Sequence, residues 1–237
     1  HIQLVVNGAG AGAIACTKLY LALGVKKENI AMCDSRGVIR KDRTDINTHK
    51  AFFTTNRPIY TITEALRGAD VFLGLSTANL ITSKDLQSMA KQPIVFALAN
   101  PDPEIAYEVA TDTRSDLIMA TGRSDYPNQV YNVLGFPYIF RGALDVHATT
   151  INEAMKLAAE KAHAALAKES VPAAIKMAYN NNSLAFGKDY LLPKPMDQRL
   201  ITVISTAVAK AAMESGVAQA PIKDWEEYHT ILKQRVR

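Results

Sequence analysis

The chain has 237 residues, 48% of them hydrophobic and 21% charged, with 12 glycines and 10 prolines. This composition excludes collagen-like, disordered and miniature disulfide-rich proteins, and it predicts one large globular domain or a domain with an added lobe. The net charge is only +4, and the basic residues are scattered apart from one local cluster, so no nucleic-acid-binding groove is indicated.

Membrane association and disulfide bonding are not indicated by the sequence either. Every apolar run is shorter than the roughly 18 residues of a membrane helix, so we expect a soluble protein with no membrane partner. The two cysteines, Cys16 and Cys33, lack metal-site spacing and predict a cytoplasmic protein with both thiols in the core. Because the chain opens inside an apolar run rather than at a Met, we expect it to be part of a longer protein.

The first half of the sequence alternates short apolar runs with helix-like segments. The runs lack strict alternation of apolar and polar residues, which is typical of strands buried on both faces. We therefore predict an α/β fold with a doubly wound parallel sheet covered by helices on both faces. The predicted strands are residues 3–7, 30–34, 71–74, 94–99 and 117–120.

Two helices in this half have recognisable start signals. Thr61 and Glu64 have the spacing of a capping box, in which the Thr hydroxyl accepts from a backbone N–H and the Glu reaches back to the chain before it. Gly68 is a stop signal for that helix. Thr82 and Asp85 predict a second helix start of the same kind.

The second half of the sequence, after about Pro137, has a helical pattern and no strand signal. Thr150 and Glu153 predict a capping box, and Gly216 predicts the end of a later helix. We divide the chain into a dinucleotide-binding core, residues 1–148, and a helical C-terminal extension of the same domain packed on the sheet, residues 149–237. The predicted core stripes are Ile151, Ala154, Met155, Ala158, Ala162 and Ala165, then Leu200, Val203, Ile204, Ala207, Val208 and Ala211.

The sharpest local signal is the glycine-rich turn VVNGAGAGA, which leaves the first predicted strand and enters a helix. In the G-x-G-x-x-A register, Gly8 makes the tight turn, Gly10 lets the backbone approach a pyrophosphate, and Ala13 packs helix on strand. A register beginning at Gly10 also fits, and a merely tight turn is the alternative without function. The context favours a Rossmann-type dinucleotide site. Its predicted pyrophosphate-binding residues are Gly8, Ala9, Gly10, Ala11 and Gly12.

The second predicted strand ends in Asp34, about where such units carry the acid that binds the adenosine ribose. An acid here favours NAD, whereas Ser35 and Arg36 supply a hydroxyl and a guanidinium that suit the additional phosphate of NADP. The alternative is a solvated basic loop. We favour NADP because Arg36 is followed by the local basic cluster, which is Arg40, Lys41, Arg43 and Lys50.

Polar segments follow the remaining strands: GLSTA after the third, ALANP after the fourth, and ATGRSDYPNQVYNV after the fifth. In a doubly wound sheet, ligands bind outside the carboxyl ends of the strands. We therefore expect these segments to converge on the same edge as the glycine turn.

Taken in order, the motifs resemble the NAD(P)-binding domain of malic enzyme, particularly the bacterial type. The resemblance implies part of an oxidoreductase that converts L-malate to pyruvate and CO2 with NADP or NAD and with Mg or Mn, in a homo-oligomer. It runs over nearly the whole chain. The motifs are VVNGAGA, CDSRGVI, FLGLS, IVFALANPDPEI, ATGRSDYPNQVYNVLGFPYIFRGALD, INEAMKLAA, LLPKP and AVAKAAMESGVA.

The resemblance assigns roles at the far end of the site. Ser76 and Asn100 would lie beside the nicotinamide half, and Asn100 and Asn132 would hydrogen-bond the substrate. Many relatives have Asn-Asn where this chain has Tyr131 and Asn132, so only Asn132 is given a role. The alternatives without function are a turn cap for Asn100 and a helix-start cap for Asn132.

The resemblance also places the general-acid Tyr, the general-base Lys and the metal-binding carboxylates outside this chain. We therefore assign no catalytic or metal-binding role to Tyr126, Lys194 or Asp125, and expect the isolated chain to be inactive because it lacks a base and a metal. The rival hypotheses are a dinucleotide-binding module without catalysis, and a different dehydrogenase that shares the cofactor domain.

Overall fold

The computed structural model describes residues 2–236. It divides the chain into two compact units, His1–Val130 and Tyr131–Arg237. Within the described part of the chain, no helix combines the length and the apolar character needed to cross a membrane.

The first unit is built on a six-stranded sheet with strand order β3-β2-β1-β4-β5-β6. All neighbouring strands pair in parallel except β3, which runs antiparallel to β2 at one edge. The order reverses at β1, which lies between β2 and β4, so the switch point of the sheet is at β1. The strands are β1 Leu4–Asn7, β2 Ile30–Asp34, β3 Gly37–Val38, β4 Val71–Gly74, β5 Ile94–Ala97 and β6 Ile118–Thr121.

Both faces of this sheet carry apolar side chains, because alternate residues of a strand point to opposite faces. Val5 and Phe72 belong to one buried cluster, whereas Val6 and Met32 belong to the other. The strands therefore read as continuous apolar runs, and the α/β fold class is confirmed.

Over its described residues this unit has five α-helices and a short 3-10 helix, Lys27–Asn29. Both predicted capping boxes are present: the Thr61 and Thr82 hydroxyls each accept the N–H three residues on, and the Glu64 and Asp85 carboxylates bond back to the N-cap N–H. Gly68 has a φ of 71° just beyond the first of these helices, as its stop role requires. The helices are α1 Ala11–Ala22, α2 Thr48–Ala51, α3 Ile62–Leu66, α4 Ser83–Ser88 and α5 Tyr107–Thr113.

The second unit is helical, as predicted. Its core packs α9 against α6 and α7. A Cβ built on Gly142 of α6 would lie 2.4 Å from the Ser205 carbonyl oxygen of α9, so these two helices approach closely. The helices are α6 Phe136–Asp145, α7 Glu153–Lys168, α8 Ala173–Ala178, α9 Arg199–Glu214 and α10 Trp225–Gln234.

Two details of α7 differ from the prediction. The N-cap is Asn152, whose side chain accepts from the Met155 N–H, so the capping box predicted from Thr150 is wrong. Ala154 and Ala165 are exposed. The buried stripe of α7 is instead formed by Met155, Ala159, Leu166 and Ala167.

The helix start moved by two residues because an Asn amide is an equally good cap and lies nearer the first turn. The other four residues of the predicted stripe, Ile151, Met155, Ala158 and Ala162, do belong to the core of the second unit or pack against it. In α9 the predicted stripe is confirmed, since its residues are buried or half-buried, and Gly216 follows the helix with a φ of 73°.

The predicted strands are confirmed with small shifts at their ends: β5 ends at Ala97 and β6 begins at Ile118. The edge strand β3 was missed, since two residues carry no apolar periodicity. The domain boundary predicted after residue 148 stays a prediction; the compact units divide between Val130 and Tyr131.

Candidate functional site

The turn after β1 requires a glycine for its backbone. Gly8 has a φ of 115°, and a Cβ built there would lie 2.7 Å from the Leu75 carbonyl oxygen. Its N–H donates to the Cys33 carbonyl at 3.0 Å, which fixes the turn against the end of β2. This backbone conformation favours the register that begins at Gly8.

The beginning of α1 is open to solvent. Gly10 is the N-cap and supplies no side-chain hydrogen bond, and Gly10, Ala11 and Gly12 are exposed. A Cβ on Gly10 or Gly12 would meet nothing within 4 Å. The first backbone N–H groups of this 12-residue helix therefore face open space, which together with the helix dipole makes a binding place for an anion.

Asp34, the last residue of β2, is held by two cations. Its carboxylate accepts two hydrogen bonds from the Arg43 guanidinium, at 2.9 and 3.0 Å, and one from the Lys50 ammonium at 2.9 Å. The Arg36 N–H also donates to it at 3.0 Å. The side chain of Asp34 is only 10% exposed, so its charge is neutralised within the protein.

These contacts set the ionisation of Asp34. Burial raises its pKa, but the hydrogen bonds from Arg43 and Lys50 outweigh burial, so the pKa lies well below the ordinary range of an Asp. Asp45 completes the group: it bonds Arg43 and Arg36, and the Arg43 hydrogen bond lowers the pKa of Asp45 to about 2. We call these five residues, Asp34, Arg36, Arg43, Asp45 and Lys50, the ion cluster.

Not every residue of the predicted basic cluster belongs to the ion cluster. Arg40 pairs with Asp42 at 3.0 Å and lies over the Tyr60 ring. Arg36 is the most exposed cation of the ion cluster, with 70% of its side chain accessible, against 15% for Arg43 and 23% for Lys50. The sequence predicted the local basic cluster but not the pairing of Asp34 with Arg43 and Lys50. Nothing in the sequence shows which of the cations folds back onto Asp34.

The ends of β1, β4 and β5 are in register, with Asn7 beside Gly74 and Gly74 beside Ala97. This register brings the Gly8 turn and the segments after β4 and β5 to one edge of the sheet, as predicted. Ser76 and Asn100 are both exposed at this edge. Within residues 2–236, the Asn100 side chain makes no intramolecular hydrogen bond, so the turn-cap alternative is wrong for its amide.

Ser76 is tied to its surroundings at two atoms. Its N–H donates to the Glu104 carboxylate at 3.1 Å, and its hydroxyl oxygen accepts from the Asn7 side-chain amide. The second oxygen of Glu104 accepts the Ala99 N–H at 3.0 Å. Sequence reasoning missed Glu104, which looks like one more acid in a proline-rich loop.

Asn132 lies in the second unit, where it begins a 3-10 helix, Asn132–Leu134, and is exposed. The N-cap of that short helix is Tyr131, without a side-chain cap bond. Asn132 is therefore not a helix-start cap, and its substrate-binding role stays a prediction.

The loop after β6 contains Asp125 and Tyr126, two of the three residues that were given no catalytic role; the third, Lys194, lies in the second unit over the Tyr179 ring. Asp125 pairs with Arg123, which also lies over the Tyr126 ring. Tyr126 stacks on Tyr107 with 4.5 Å between ring centroids and donates to Glu108. Among the residues that the structure describes, no group of three or more His, Cys, Asp or Glu side chains is arranged to hold a metal ion. The described residues of this loop therefore do not fit a divalent metal site.

Comparison with known proteins identifies the family to which this chain is similar. The family model described as malic enzyme, NAD binding domain, matches residues 1–185. An NADP-dependent malic enzyme of Rhizobium meliloti is 56% identical over 98% of this chain and 31% of its own length. An NAD-dependent malic enzyme of the same organism is 49% identical over 95% of this chain and 30% of its own length.

A solved structure agrees with these relatives. The crystal structure of the Entamoeba histolytica malic enzyme superposes with a TM-score of 0.86 at 32% identity, covering 99% of this chain and 47% of that one. The chain thus spans about a third of the length of the two curated relatives and about half of the solved one.

Proposed function

Since the chain belongs to the malic enzyme NAD-binding domain family, we propose that it is the dinucleotide-binding part of an enzyme that oxidises L-malate and releases pyruvate and CO2. One observation carries the proposal: the open, uncapped start of α1 lies at the same sheet edge as Ser76 and Asn100. A dinucleotide needs an anion site and a polar site along one crevice, and this edge supplies both. The family match disfavours the different dehydrogenase considered as a rival.

The residues at the start of α1 fit a pyrophosphate. Gly8 shapes the turn, and Gly10 and Gly12 leave room for phosphate oxygens to approach the backbone. The N–H groups of Ala11 and Gly12 have no acceptor within the helix, because the first helical hydrogen bond runs from Ile14 to Gly10. Bound phosphate would give them one.

At the other end, the chain's residues orient the reacting parts. A dinucleotide held by these residues would supply the acceptor for the hydride at C2 of malate. Among the residues that the structure describes, none hydrogen-bonds the Asn100 amide, which is suited to hold a carboxylate or a hydroxyl without supplying a proton. We propose that Ser76 and Asn100 flank the nicotinamide half and that Asn132 contributes a second amide to the substrate.

For the cofactor we propose NADP over NAD. The three cations of the ion cluster outnumber its two carboxylates, and Asp34 is occupied by Arg43 and Lys50, so it is a poor acceptor for a ribose hydroxyl. A 2′-phosphate would find an exposed guanidinium at Arg36 and an ammonium at Lys50. The two curated relatives are named one for each cofactor, so a binding measurement has to decide.

The test compares dissociation constants of NADP and NAD for the unmodified protein, Arg36→Ala and Lys50→Gln. We expect each variant to weaken NADP about 10-fold, the loss of roughly one charge-assisted hydrogen bond, and to leave NAD within about twofold. Lys41→Gln is the matched control, since it removes an exposed positive charge from the same segment outside the ion cluster. A preference for NAD that neither variant changes would contradict the NADP proposal.

For the isolated chain, the rival hypothesis of a binding module is retained. The resemblance places the proton-transferring Tyr and Lys and the carboxylates that hold Mg or Mn outside residues 1–237, and the polar groups at the site are hydrogen-bond donors rather than bases. We propose that the chain alone binds NADP without turning malate over. Incubating it with malate, NADP and Mn2+ and following absorbance of the reduced cofactor tests this, and appreciable turnover would overturn it.

Two further features are proposed on the family resemblance: a homo-oligomeric assembly and a cytoplasmic location. Burial raises the pKa of the Cys33 thiol to about 12, which keeps it protonated and unreactive. Light scattering of the intact protein tests the assembly, and a monomer at micromolar concentration would contradict it.

A further inference from the structure

Glu104 is a fully buried carboxylate that no part of the proposed function uses. None of its surface is exposed, and it is among the largest fully buried side chains of the described chain. Its two oxygens accept from two different segments: Oε1 from the Ser76 N–H at 3.1 Å, and Oε2 from the Ala99 N–H at 3.0 Å.

The backbone of Glu104 also binds the segment after β4. Its carbonyl oxygen accepts from the N–H groups of Leu80 and Ile81, at 2.7 and 3.1 Å. The segment after β4 is thus bonded to Glu104 by the side chain near its start and by the main chain near its end. A loop held at both ends by one residue has little freedom to shift.

The sheet leaves space for this carboxylate at Gly74, the last residue of β4. A Cβ built on Gly74 would lie 2.3 Å from Cδ of Glu104, so the carboxylate packs directly on the strand backbone. The arrangement needs both residues: a glycine at the end of the strand and a side chain of this length in the loop.

Asn7 holds the same serine from the opposite side. Asn7 ends β1 and is 5% exposed, and its amide donates to the Ser76 hydroxyl oxygen. Ser76 is thus fixed at its N–H by Glu104 and at its hydroxyl by Asn7. Asn100 follows Ala99 directly, so its backbone is fixed through the second Glu104 oxygen.

We propose that Glu104 is a positioning residue for hydride transfer, which sets the distance between the Ser76 and Asn100 segments and so the placement of nicotinamide against substrate. The inference rests on the proposed function. Glu104 touches neither reactant: it acts through the two N–H groups. Its role is therefore in the rate of the chemical step rather than in holding the adenosine half.

The experiment uses Glu104→Gln in the intact protein. Gln keeps the shape but turns one acceptor into an NH2 group that faces a backbone N–H, so one of the two segments is released. We expect kcat to fall about 10- to 100-fold, since a displacement near 1 Å is enough for such a loss. The primary deuterium isotope effect with malate deuterated at C2 should rise, because hydride transfer becomes slower.

A dinucleotide fragment separates positioning from general damage. The dissociation constant of 2′-phospho-ADP-ribose, which lacks the nicotinamide, should stay within about twofold of the unmodified protein. Asp85→Asn is the matched control: Asp85 is a buried carboxylate of the same unit that accepts the Thr82 N–H in the α4 capping box. It should lower stability and leave kcat and the isotope effect unchanged.

Each outcome of these measurements bears on either the inference or the proposed function. If Glu104→Gln changes kcat and the isotope effect no more than Asp85→Asn does, the inference is overturned. If Glu104→Gln does not fold, Glu104→Asp replaces it, because the shorter carboxylate cannot reach both N–H groups: a fall in kcat with unchanged fragment binding supports positioning, and an unchanged kcat overturns it. If the unmodified protein binds no dinucleotide, the proposed function fails instead.

Discussion

The adenosine half of the proposed cofactor crevice is built in opposite ways at its two ends, the glycine turn and the ion cluster. The glycine turn, residues 8–12, presents backbone N–H groups and almost no side-chain chemistry, and its shape follows from φ at Gly8 and the exposed start of α1. The ion cluster presents side chains from four positions after β2 and one at its end, joined by ion pairs of 2.6 to 3.1 Å.

This difference predicts what each end tolerates. A backbone site is insensitive to pH near neutrality and has no room for an added methyl group where the chain is tight. A side-chain site accepts changes in volume but depends on charge, so its strength varies with ionisation. Substitutions at the glycine turn should therefore show their effect when a methyl group is added, and substitutions in the ion cluster should show theirs when the charge or the pH is changed.

The largest effect is expected at Gly8. Gly8→Ala forces an alanine to a φ of 115° and places its methyl 2.7 Å from the Leu75 carbonyl oxygen. We expect a loss of about 3 kcal/mol in the free energy of unfolding, from backbone strain and the clash together, and no measurable NADP binding. Urea denaturation and calorimetric titration measure the two quantities.

Gly12→Ala is the control for this prediction. Its Cβ would meet nothing within 4 Å and lies in the first turn of α1, so stability should stay the same or rise by up to about 1 kcal/mol. Equal stabilities for Gly8→Ala and Gly12→Ala would show that the turn does not constrain the chain as described.

The next effect is expected at Gly10 and concerns binding alone. Gly10 has a φ of −83°, which alanine adopts easily, so Gly10→Ala should change the free energy of unfolding by less than about 1 kcal/mol. Its methyl would fill space beside the N–H groups that face phosphate. We expect NADP and NAD to weaken equally, at least about 10-fold. Unchanged dissociation constants would show that the pyrophosphate does not bind beside Gly10.

The smallest effect is expected in the ion cluster and depends on pH. The pKa of Asp34 is lowered in the folded protein, so its ion pairs stabilise the fold above its ordinary pKa and are lost as pH falls through the lowered one. Asp34→Asn should cost about 1 to 2 kcal/mol near neutral pH. The difference from the unmodified protein should be constant between roughly pH 5 and 8 and shrink below about pH 4.

Chemical denaturation across that range measures the Asp34 contribution. A difference that grows instead of shrinking as the pH falls would mean that Asp34 is not ion-paired in the folded protein.

Local patterns in the sequence predicted most of the first unit. The strand runs, both capping boxes and the glycine turn each depend on neighbours within a few residues, and they are confirmed. The edge strand β3 was missed because two residues carry no apolar periodicity, and the cap at Asn152 was missed because Thr150 and Asn152 are both acceptable N-cap residues.

The site was predictable only in part, for the same reason. Gly8, Ser76 and Asn100 follow strand ends, so the topology of the sheet brings them to one edge. The pairing of Asp34 with Lys50, 16 positions apart, and of Glu104 with Ser76, 28 positions apart, is set by how loops fold back. No spacing rule encodes such pairs, and in the sequence a buried Glu that follows Pro103 looks the same as a surface acid.

The contact between Gly74 and Glu104 has a consequence for how these two positions vary among homologous sequences. Neither position can vary alone: a side chain at 74 collides with the carboxylate, and a shorter residue at 104 leaves two N–H groups without an acceptor and a hollow beneath the strand. An alignment of homologues should show the two sites changing together, with larger residues at 74 only in lineages that have abandoned the acid.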